Sequence, residues 1–422
     1  MHKCILCGYK NYFNNTVVDL GEIYPSLFLD SPEQTSLLKQ EKLSLIQCAK
    51  CDFVQLNHFL EPDEMYRKYW YRSGLNNSMV NALRDIVDKT MAKTRNCYTL
   101  NLMDIGCNDG TLLSFYPDNF FKVGYDPANN LAKYAIENCN VFVNDYFNGN
   151  IHYKHQFDII TSIAMFYDLE DPRSFITNIC KYLSMDGIWV VQMTDLTCML
   201  SVNAYDNICH EHLAYYSLEL LKSLLAEFNL EIFDVEYNDV NGGSVRAYIS
   251  RLGERDITED VVKALANEKE LLQKKDWKEF NRIIQSINNT VYTFVNDEVN
   301  KGKTVFGLGA STKGNTFLQV AGLNSGHIPY ILEVSKDKFG KYCAGSNIPI
   351  ISEAEGFAKN PDYLLVLPWH FTEFFLEKKL DYLKSGGKMI VPMPVPGVWE
   401  YVNNDYKFTS FDPTITVWKN NA

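Results

Sequence analysis

No run of ~18 uninterrupted apolar residues occurs in this chain, which argues against a membrane-spanning helix. Nothing apolar follows Met1-His2-Lys3-Cys4 in the manner of a secretory leader, so the expected location is the cytoplasm. Positive charge is in short supply. Forty Lys and Arg face 52 Asp and Glu, for a net charge of −12 and a pI of about 5.2. A surface that tracks nucleic-acid phosphates needs clustered cations, so that class of partner is disfavoured. Low-complexity segments, a dinucleotide G-x-G-x-x-G and a Walker phosphate loop are all missing. Cysteine, by contrast, is plentiful. Its count of 11 is odd, and the simpler reading is a reducing compartment in which some thiols hold metal.

Hydrophobic residues make up 46% of the 422 and aromatics 14%, enough for substantial cores. At ~150 residues per domain the length suggests two or three domains. The first stretch, 1–74, reads as strands and loops with too few periodic apolar segments for a large core, so it needs a staple. From 75 to 252 strands alternate with helices: a helix over Asn77–Thr94, strands at Tyr98–Ile105, Lys122–Tyr125, Val141–Val143, Phe157–Ser162 and Ile188–Gln192, and a further helix after the turn at Gly110. That is the pattern of a doubly wound α/β domain. The run from Asp256 to Asn300 is charged and amphipathic, with Phe280, Ile284, Ile287 and Val291 at helical spacing, and predicts a long connecting helix or a helix pair. A second α/β unit over 253–422 follows, with strands at Thr304–Gly307, Ile328–Leu332, Tyr363–Leu367 and Lys388–Val391.

Two Cys-x-x-Cys pairs stand near the front, Cys4 with Cys7 and Cys48 with Cys51. Four thiolates on two tight turns suit tetrahedral zinc, and a site filled by four cysteines is closed, hence structural. The bland alternative is four unrelated core cysteines or a redox pair.

In the middle, Asp104-Ile105-Gly106-Cys107-Asn108-Asp109-Gly110 follows a strand, and Gly106 lets the chain turn tightly and approach a ligand. The segment resembles motif I of the class I S-adenosylmethionine (SAM) methyltransferases, which implies SAM contacts from Asp104, Gly106 and Asn108. Asp126, at the end of the next strand, places a carboxylate where it can accept both ribose hydroxyls. By the same resemblance Asp145 meets the adenine amino group, Phe157–Thr161 is motif IV, and Met165 and Phe166 pack on the adenosine. The alternative is a ligand-free Rossmann-like domain with solvated acids at its loop ends.

Three further segments narrow the family: Cys209-His210-Glu211-His212, Asn241-Gly242-Gly243-Ser244, and Gly307-Leu308-Gly309-Ala310-Ser311-Thr312-Lys313-Gly314-Asn315. Together with the cysteine pairs they resemble the nucleotide-sugar C-methyltransferases. That resemblance spans nearly the whole chain and implies a zinc-binding N-terminal domain, a SAM domain and a C-terminal Rossmann-like domain that binds a nucleotide sugar. The implied reaction removes the acidic C3 proton of a 4-keto-deoxysugar and methylates the enolate carbon, work that calls for a base and an oxyanion partner. On an extended segment His210 and His212 would face one way and Glu211 the other. The family assigns the base to the second histidine, here His212, and a binding or orienting role to Glu211. One family tyrosine is replaced by Cys209; a second falls at Tyr71 in Tyr69-Trp70-Tyr71-Arg72-Ser73. The glycine turn offers backbone N–H groups at a helix start, with Gly309, Ser311, Lys313 and Asn315 expected around the diphosphate and Asn241 and Ser244 around the sugar. Trp369-His370 ends a strand on the ligand-facing edge. A small-molecule substrate and a monomer or small homo-oligomer are expected. The rival readings are a SAM-dependent O-methyltransferase and a non-catalytic zinc and SAM-fold adaptor.

Overall fold

The computed structural model describes residues 3–10, 15–95, 98–149 and 156–417. Its central sheet has seven strands in the order Leu230–Asn238, Ser244–Arg251, Leu183–Met193, Phe157–Ile163, Asn101–Ile105, Phe121–Tyr125, Val141–Val143. The five from Leu183–Met193 onward run parallel, and the other two form an antiparallel hairpin along one edge. The chain works outward from Asn101–Ile105 in one direction, then returns to lay Phe157–Ile163 on its other side. This reversal opens a crevice at the C-terminal ends of those two strands, where open α/β sheets take their ligands.

Strand alternation sets up two faces. Leu102, Ile159 and Val190 share one hydrophobic cluster with Leu83, Ile86 and Val87 of the helix Asn77–Lys93. Met103, Ile160 and Val191 belong to the opposite one, with Phe175, Ile176 and Ile179 of the helix Pro172–Tyr182. Each such aliphatic contributes about 1.5–3 kcal/mol when fully buried. Both helices begin on side-chain caps: Asn76 accepts from the Ser78 N–H at 2.9 Å and Asp171 from the Ser174 N–H at 3.0 Å. The helix expected after Gly110 is reduced to a single 3-10 turn, Leu113–Phe115. Pro117 is the cause: it forces Tyr116 to an extended ψ of 149° and leaves no room for a full helix.

The C-terminal sheet repeats the plan in the order Ile350–Ser352, Ile331–Glu333, Val305–Leu308, Tyr363–Val366, Lys388–Val391, Gly397–Val402, Asp405–Ser410, with five parallel strands and an antiparallel pair at one edge. The amphipathic run between the sheets is a pair of helices, Glu259–Gln273 and Trp277–Asn300, restarted where the Asp276 carboxylate accepts from the Lys278 N–H at 2.8 Å. Ile284, Ile287 and Val291 lie on the buried face of the second helix. Among the described residues no helix is long and apolar enough to cross a membrane.

The N-terminal sheet is built from Thr16–Ile23, Glu41–Gln47, Val54–Leu56 and, from far along the chain, Ala214–Tyr215. Ala214 pairs with Gln55 and Tyr215 with Val54, and the Leu56 N–H donates to the Leu213 carbonyl at 2.9 Å. Phe28–Leu29 pairs with Tyr342–Cys343 of the C-terminal half, where Tyr24 and Gln319 also exchange two hydrogen bonds of 2.9 and 3.0 Å. The first stretch therefore joins the two α/β units to each other.

Glu268, on the first helix of the pair, caps the helix Leu218–Ala226 by accepting from the Leu218 and Glu219 N–H groups. Burial pushes its carboxyl up to about 7, and nearby Asp195 adds to the shift. The folded state thus binds a proton that the unfolded chain has released. Stability from this group is fully present below the unfolded value near 4.5 and is lost as pH rises through about 7. Chemical denaturation from pH 4.5 to 7.5 should show a falling component that Glu268→Gln removes.

Candidate functional site

A cavity of about 1030 Å³ lies where the crevices of the two α/β sheets meet the segment Tyr66–Asn77. Asp104, Gly106, Asn108, Asp126, Asp145, Met165, Tyr71, His212, Asn241, Gly309, Ser311 and Lys313 line it. Among the other residues singled out in the sequence, His210, Glu211, Phe166, Ser244 and Asn315 do not.

At one end the glycine turn hangs from its neighbour strand, since the Gly106 and Cys107 N–H groups both donate to the Tyr125 carbonyl at 2.8 and 3.0 Å. Gly106 has φ +76°, and a Cβ there would sit 3.0 Å from the Met165 side chain, so only glycine keeps this floor open. Asp126 accepts from the Asn108 N–H on one oxygen and the Ala128 N–H on the other, both at 2.8 Å. Two lone-pair directions remain, the number a vicinal diol needs. Burial pushes Asp126 up to about 6 despite those two donors. Asp104 accepts from the Thr161 hydroxyl at 2.6 Å and is pushed by burial to about 7. Asp145 is half-exposed and ion-paired with Arg67 at 3.0 Å. Phe166 is withdrawn from the cavity: fully buried, it packs edge-on against Trp189 and Phe175.

The segment carrying Tyr71 is tied to this turn. Asn108 donates to the Tyr71 carbonyl at 3.0 Å and accepts from the Ser73 N–H at 2.9 Å, while Asp109 accepts from the Gly74 N–H at 2.9 Å and pairs with Arg72 at 3.2 Å. The Tyr71 hydroxyl is buried without a partner.

At the centre, the His-Glu-His segment corrects the expectation of an extended strand. The His212 N–H donates to the Cys209 carbonyl at 3.2 Å, closing a turn that sends the three side chains different ways. His210 leaves toward Glu41 and His58 of the N-terminal sheet, and burial lowers it to about 4. Glu211 turns to Lys313 and Cys209, and burial raises its carboxyl. His212 alone lines the cavity, its ring 4.3 Å from that of Tyr167. Its Nδ1 lies 2.8 Å from the Asn207 carbonyl. A carbonyl only accepts, so Nδ1 carries the proton and Nε2 is the basic atom. Burial, then the charge of Lys313, holds His212 down at about 3, a neutral imidazole.

Asn207 was not legible as a site residue, yet it organises this floor. Its carbonyl also accepts from the Tyr215 hydroxyl at 3.1 Å, and its side-chain oxygen accepts from Lys313, which reaches across from the C-terminal half. Lys313 donates to the Asn241 carbonyl as well, at 3.3 Å, so it belongs to this floor and not to the glycine turn at its own helix start. Ser244 closes a local turn on the Val240 carbonyl at 2.8 Å. Asn315 is buried in the helix Thr312–Val320, away from the cavity. The cation on the second glycine turn is Lys338, which donates to the Ala310 carbonyl at 2.7 Å and lines the cavity. Trp369 anchors the two halves by donating to Asp206 at 2.8 Å, and its neighbour His370 faces the cavity.

Outside the cavity, the sulfurs of Cys4, Cys7, Cys48 and Cys51 lie within 4.8 Å of one another. The Cys4–Cys51 and Cys7–Cys48 separations are 3.7 and 3.6 Å. Disulfide sulfurs would stand at ~2.05 Å; a tetrahedron of Zn–S bonds of ~2.3 Å has edges of ~3.8 Å. Each pair forms a matching knuckle, in which the Gly8 N–H donates to the Cys4 carbonyl and the Asp52 N–H to the Cys48 carbonyl, and both Gly8 and Asp52 have positive φ.

Residues 74–235 match the methyltransferase domain family, and residues 239–394 match the C-methyltransferase C-terminal domain family. Among curated proteins, the C-methyltransferase NovU of Streptomyces niveus is 27% identical over 414 residues, covering 94% of this chain and 96% of that protein. Similar solved structures include a SAM-bound magnesium protoporphyrin IX methyltransferase from Synechocystis, with 12% identity, a TM-score of 0.32, and 41% of this chain and 79% of that one covered. A SAM-dependent methyltransferase from Clostridium acetobutylicum gives 13%, 0.34, 41% and 92%. The central sheet and its glycine turn, with these family matches, define a class I SAM-dependent methyltransferase. The C-terminal part carries the C-methyltransferase C-terminal domain, and nearly the whole chain is similar to a C-methyltransferase. The reading as a non-catalytic adaptor is thereby set aside.

Gly106→Val should abolish SAM binding measured by calorimetry, because the new side chain meets Met165. Asp126→Ala should weaken it by about 1.5–3 kcal/mol, the range for hydrogen bonds to a charged group. Unchanged affinity in both variants would place the site elsewhere.

Proposed function

We propose that this enzyme methylates C3 of a 4-keto-deoxysugar linked to a nucleoside diphosphate. The observation that carries the reading is the tautomer of His212. The Asn207 carbonyl holds Nδ1–H, so the cavity-lining ring has its lone pair on Nε2, free to take a proton.

The residues fit SAM: Gly106 keeps the floor open, Asp126 offers two lone-pair directions to a ribose, and Met165 is apolar cover. SAM, when bound, supplies an electrophilic methyl on a sulfonium centre. The chain's own residues prepare the carbon. His212 removes the C3 proton, which the adjacent ketone has acidified. The low proton affinity of the free imidazole is countered when the substrate brings negative charge beside Lys313. Lys313 and Asn241 hold the sugar end. The helix start at Ser311–Thr312, with Lys338, presents N–H groups and a cation to the diphosphate. Asp145, Tyr71 and the remaining lining residues position the substrate and cofactor, and Glu211 orients its neighbours from behind that lining. The Cys4, Cys7, Cys48 and Cys51 cluster takes a structural zinc ion, with no open position for chemistry.

With deuterium at C3 of the keto-sugar, the enzyme should wash the label into solvent even with S-adenosylhomocysteine in place of SAM. His212→Asn should keep SAM affinity, stop the exchange and lose ~10²–10⁴-fold in turnover. His210→Asn, whose ring points away from the cavity, should exchange normally. A product carrying a methoxy signal in NMR, with no exchange, would favour O-methylation. Metal analysis of unchelated protein should find about one zinc per chain, and Cys48→Ser should lose it and melt earlier.

A further inference from the structure

Asp168 plays no part in the sequence reading, yet it lines the cavity one residue after Tyr167, whose ring packs on the base His212. It ends the short turn Phe166–Asp168, held by its own N–H donating to the Met165 carbonyl at 3.1 Å. One of its carboxyl oxygens, Oδ1, is buried without a hydrogen-bond partner, and so is Oε2 of Glu211. An orphaned acid on the wall of a cavity is costly unless a ligand satisfies it.

The surroundings also decide its protonation. Burial raises the proton affinity of both Asp168 and Glu211, and the field of Glu211 raises that of Asp168 further. Two such carboxyls do not both ionise. The cation Lys313 acts on Glu211 and not on Asp168. Of the two, Asp168 is the one whose carboxyl burial and a neighbouring acid both push toward the protonated form. Tyr66 donates to the Glu211 carbonyl at 2.8 Å, and its hydroxyl also favours the ionised form of Asp168, but less than burial and Glu211 oppose it.

We infer that Asp168 is a catalytic residue, a neutral carboxylic acid that donates a hydrogen bond to the C4 oxygen of the keto-sugar and stabilises the oxyanion formed on deprotonation. The inference rests on the keto-sugar reading above. In that step the C3–H bond breaks and its proton goes to Nε2 of His212. The C–H electron pair becomes the C3=C4 bond, and the carbonyl π pair moves onto O4, where the Asp168 O–H meets it. A preformed donor of this kind is worth ~10²–10³ in rate.

The test uses TDP-, CDP- and GDP-linked 4-keto-6-deoxyhexoses deuterated at C3, incubated with S-adenosylhomocysteine and followed by NMR. Asp168→Leu, with no donor, should slow exchange ~10²–10³-fold while SAM affinity and melting temperature hold. Asp168→Asn, whose amide still donates, should stay within about tenfold of wild type. The infrared spectrum of the substrate-free enzyme should show a protonated-carboxyl C=O band that Asp168→Asn removes, a readout that survives even if the leucine variant fails to fold. Wild-type exchange that persists intact in Asp168→Leu overturns this role alone. So does an asparagine variant as slow as the leucine one, or an infrared band that Asp168→Asn leaves in place. Wild-type enzyme that exchanges none of the three sugars, with the band present, sinks the keto-sugar reading and this role with it.

Discussion

Leu213, Ala214 and Tyr215 leave the methyltransferase domain and finish a sheet that belongs to the cysteine-clamped N-terminal stretch. Ladder bonds to Val54–Leu56 fix this crossing, and the arrangement of the cavity floor follows from it. With its far end held in a sheet and its near end held by Asn207, the segment Cys209–His212 has to turn. A turn can send three consecutive side chains in three directions, which a strand cannot. His210 goes to the N-terminal sheet, Glu211 to the lysine from the C-terminal half and His212 to the cavity. The cysteine cluster lies outside the cavity, yet it braces the strands against which His212 is set.

The two α/β halves use the same device with different endings. In each, a glycine turn follows one strand, and an acid at the end of the adjacent strand ties that turn down through backbone N–H groups. Asp126 accepts from Asn108 and Ala128; Glu333 accepts from Ala310 and Ser335, at 3.0 and 2.9 Å. Asp126 has two lone-pair directions to spare. Glu333 also accepts from Val334 and stands 3.4 Å from Lys338, so its capacity is filled. One turn thus retains an open carboxylate suited to a diol, and the other presents a lysine suited to an anion. The difference between the halves is a matter of which groups remain unsatisfied after folding.

What the sequence made legible was chiefly local or periodic. The cysteine pairs, the glycine turn and Asp126 are set by spacing along a few residues. The strands with two buried faces and the helix Trp277–Asn300 are set by the period of apolar side chains. Most of what escaped depends on residues far apart in the chain. Lys313 reads as part of its own helix start, and only the approach of Asn207, 106 positions away, draws it elsewhere. Phe166 is adjacent to Met165 but faces Trp189, because a short turn reverses the direction of neighbouring side chains. The missing helix after Gly110 is the exception, since Pro117 was visible all along and its effect on Tyr116 is local.

Burial is the common cause of the site's electrostatics, and it moves acids and bases toward the same condition. It lowers His212, raises Asp168 and Glu211, and draws the proton affinity of Asp104 and Asp126 up into the neutral range. A chain with a net charge of −12 thereby encloses a floor made largely of neutral groups that can still give or take a proton. Water would solvate a carbonyl and an enolate by reorienting as charge develops. A floor of fixed dipoles and buried acids has no such reorganisation to make. The same desolvation that makes each group costly to bury is what suits it to the proposed substrate, whose charge would appear only during the reaction.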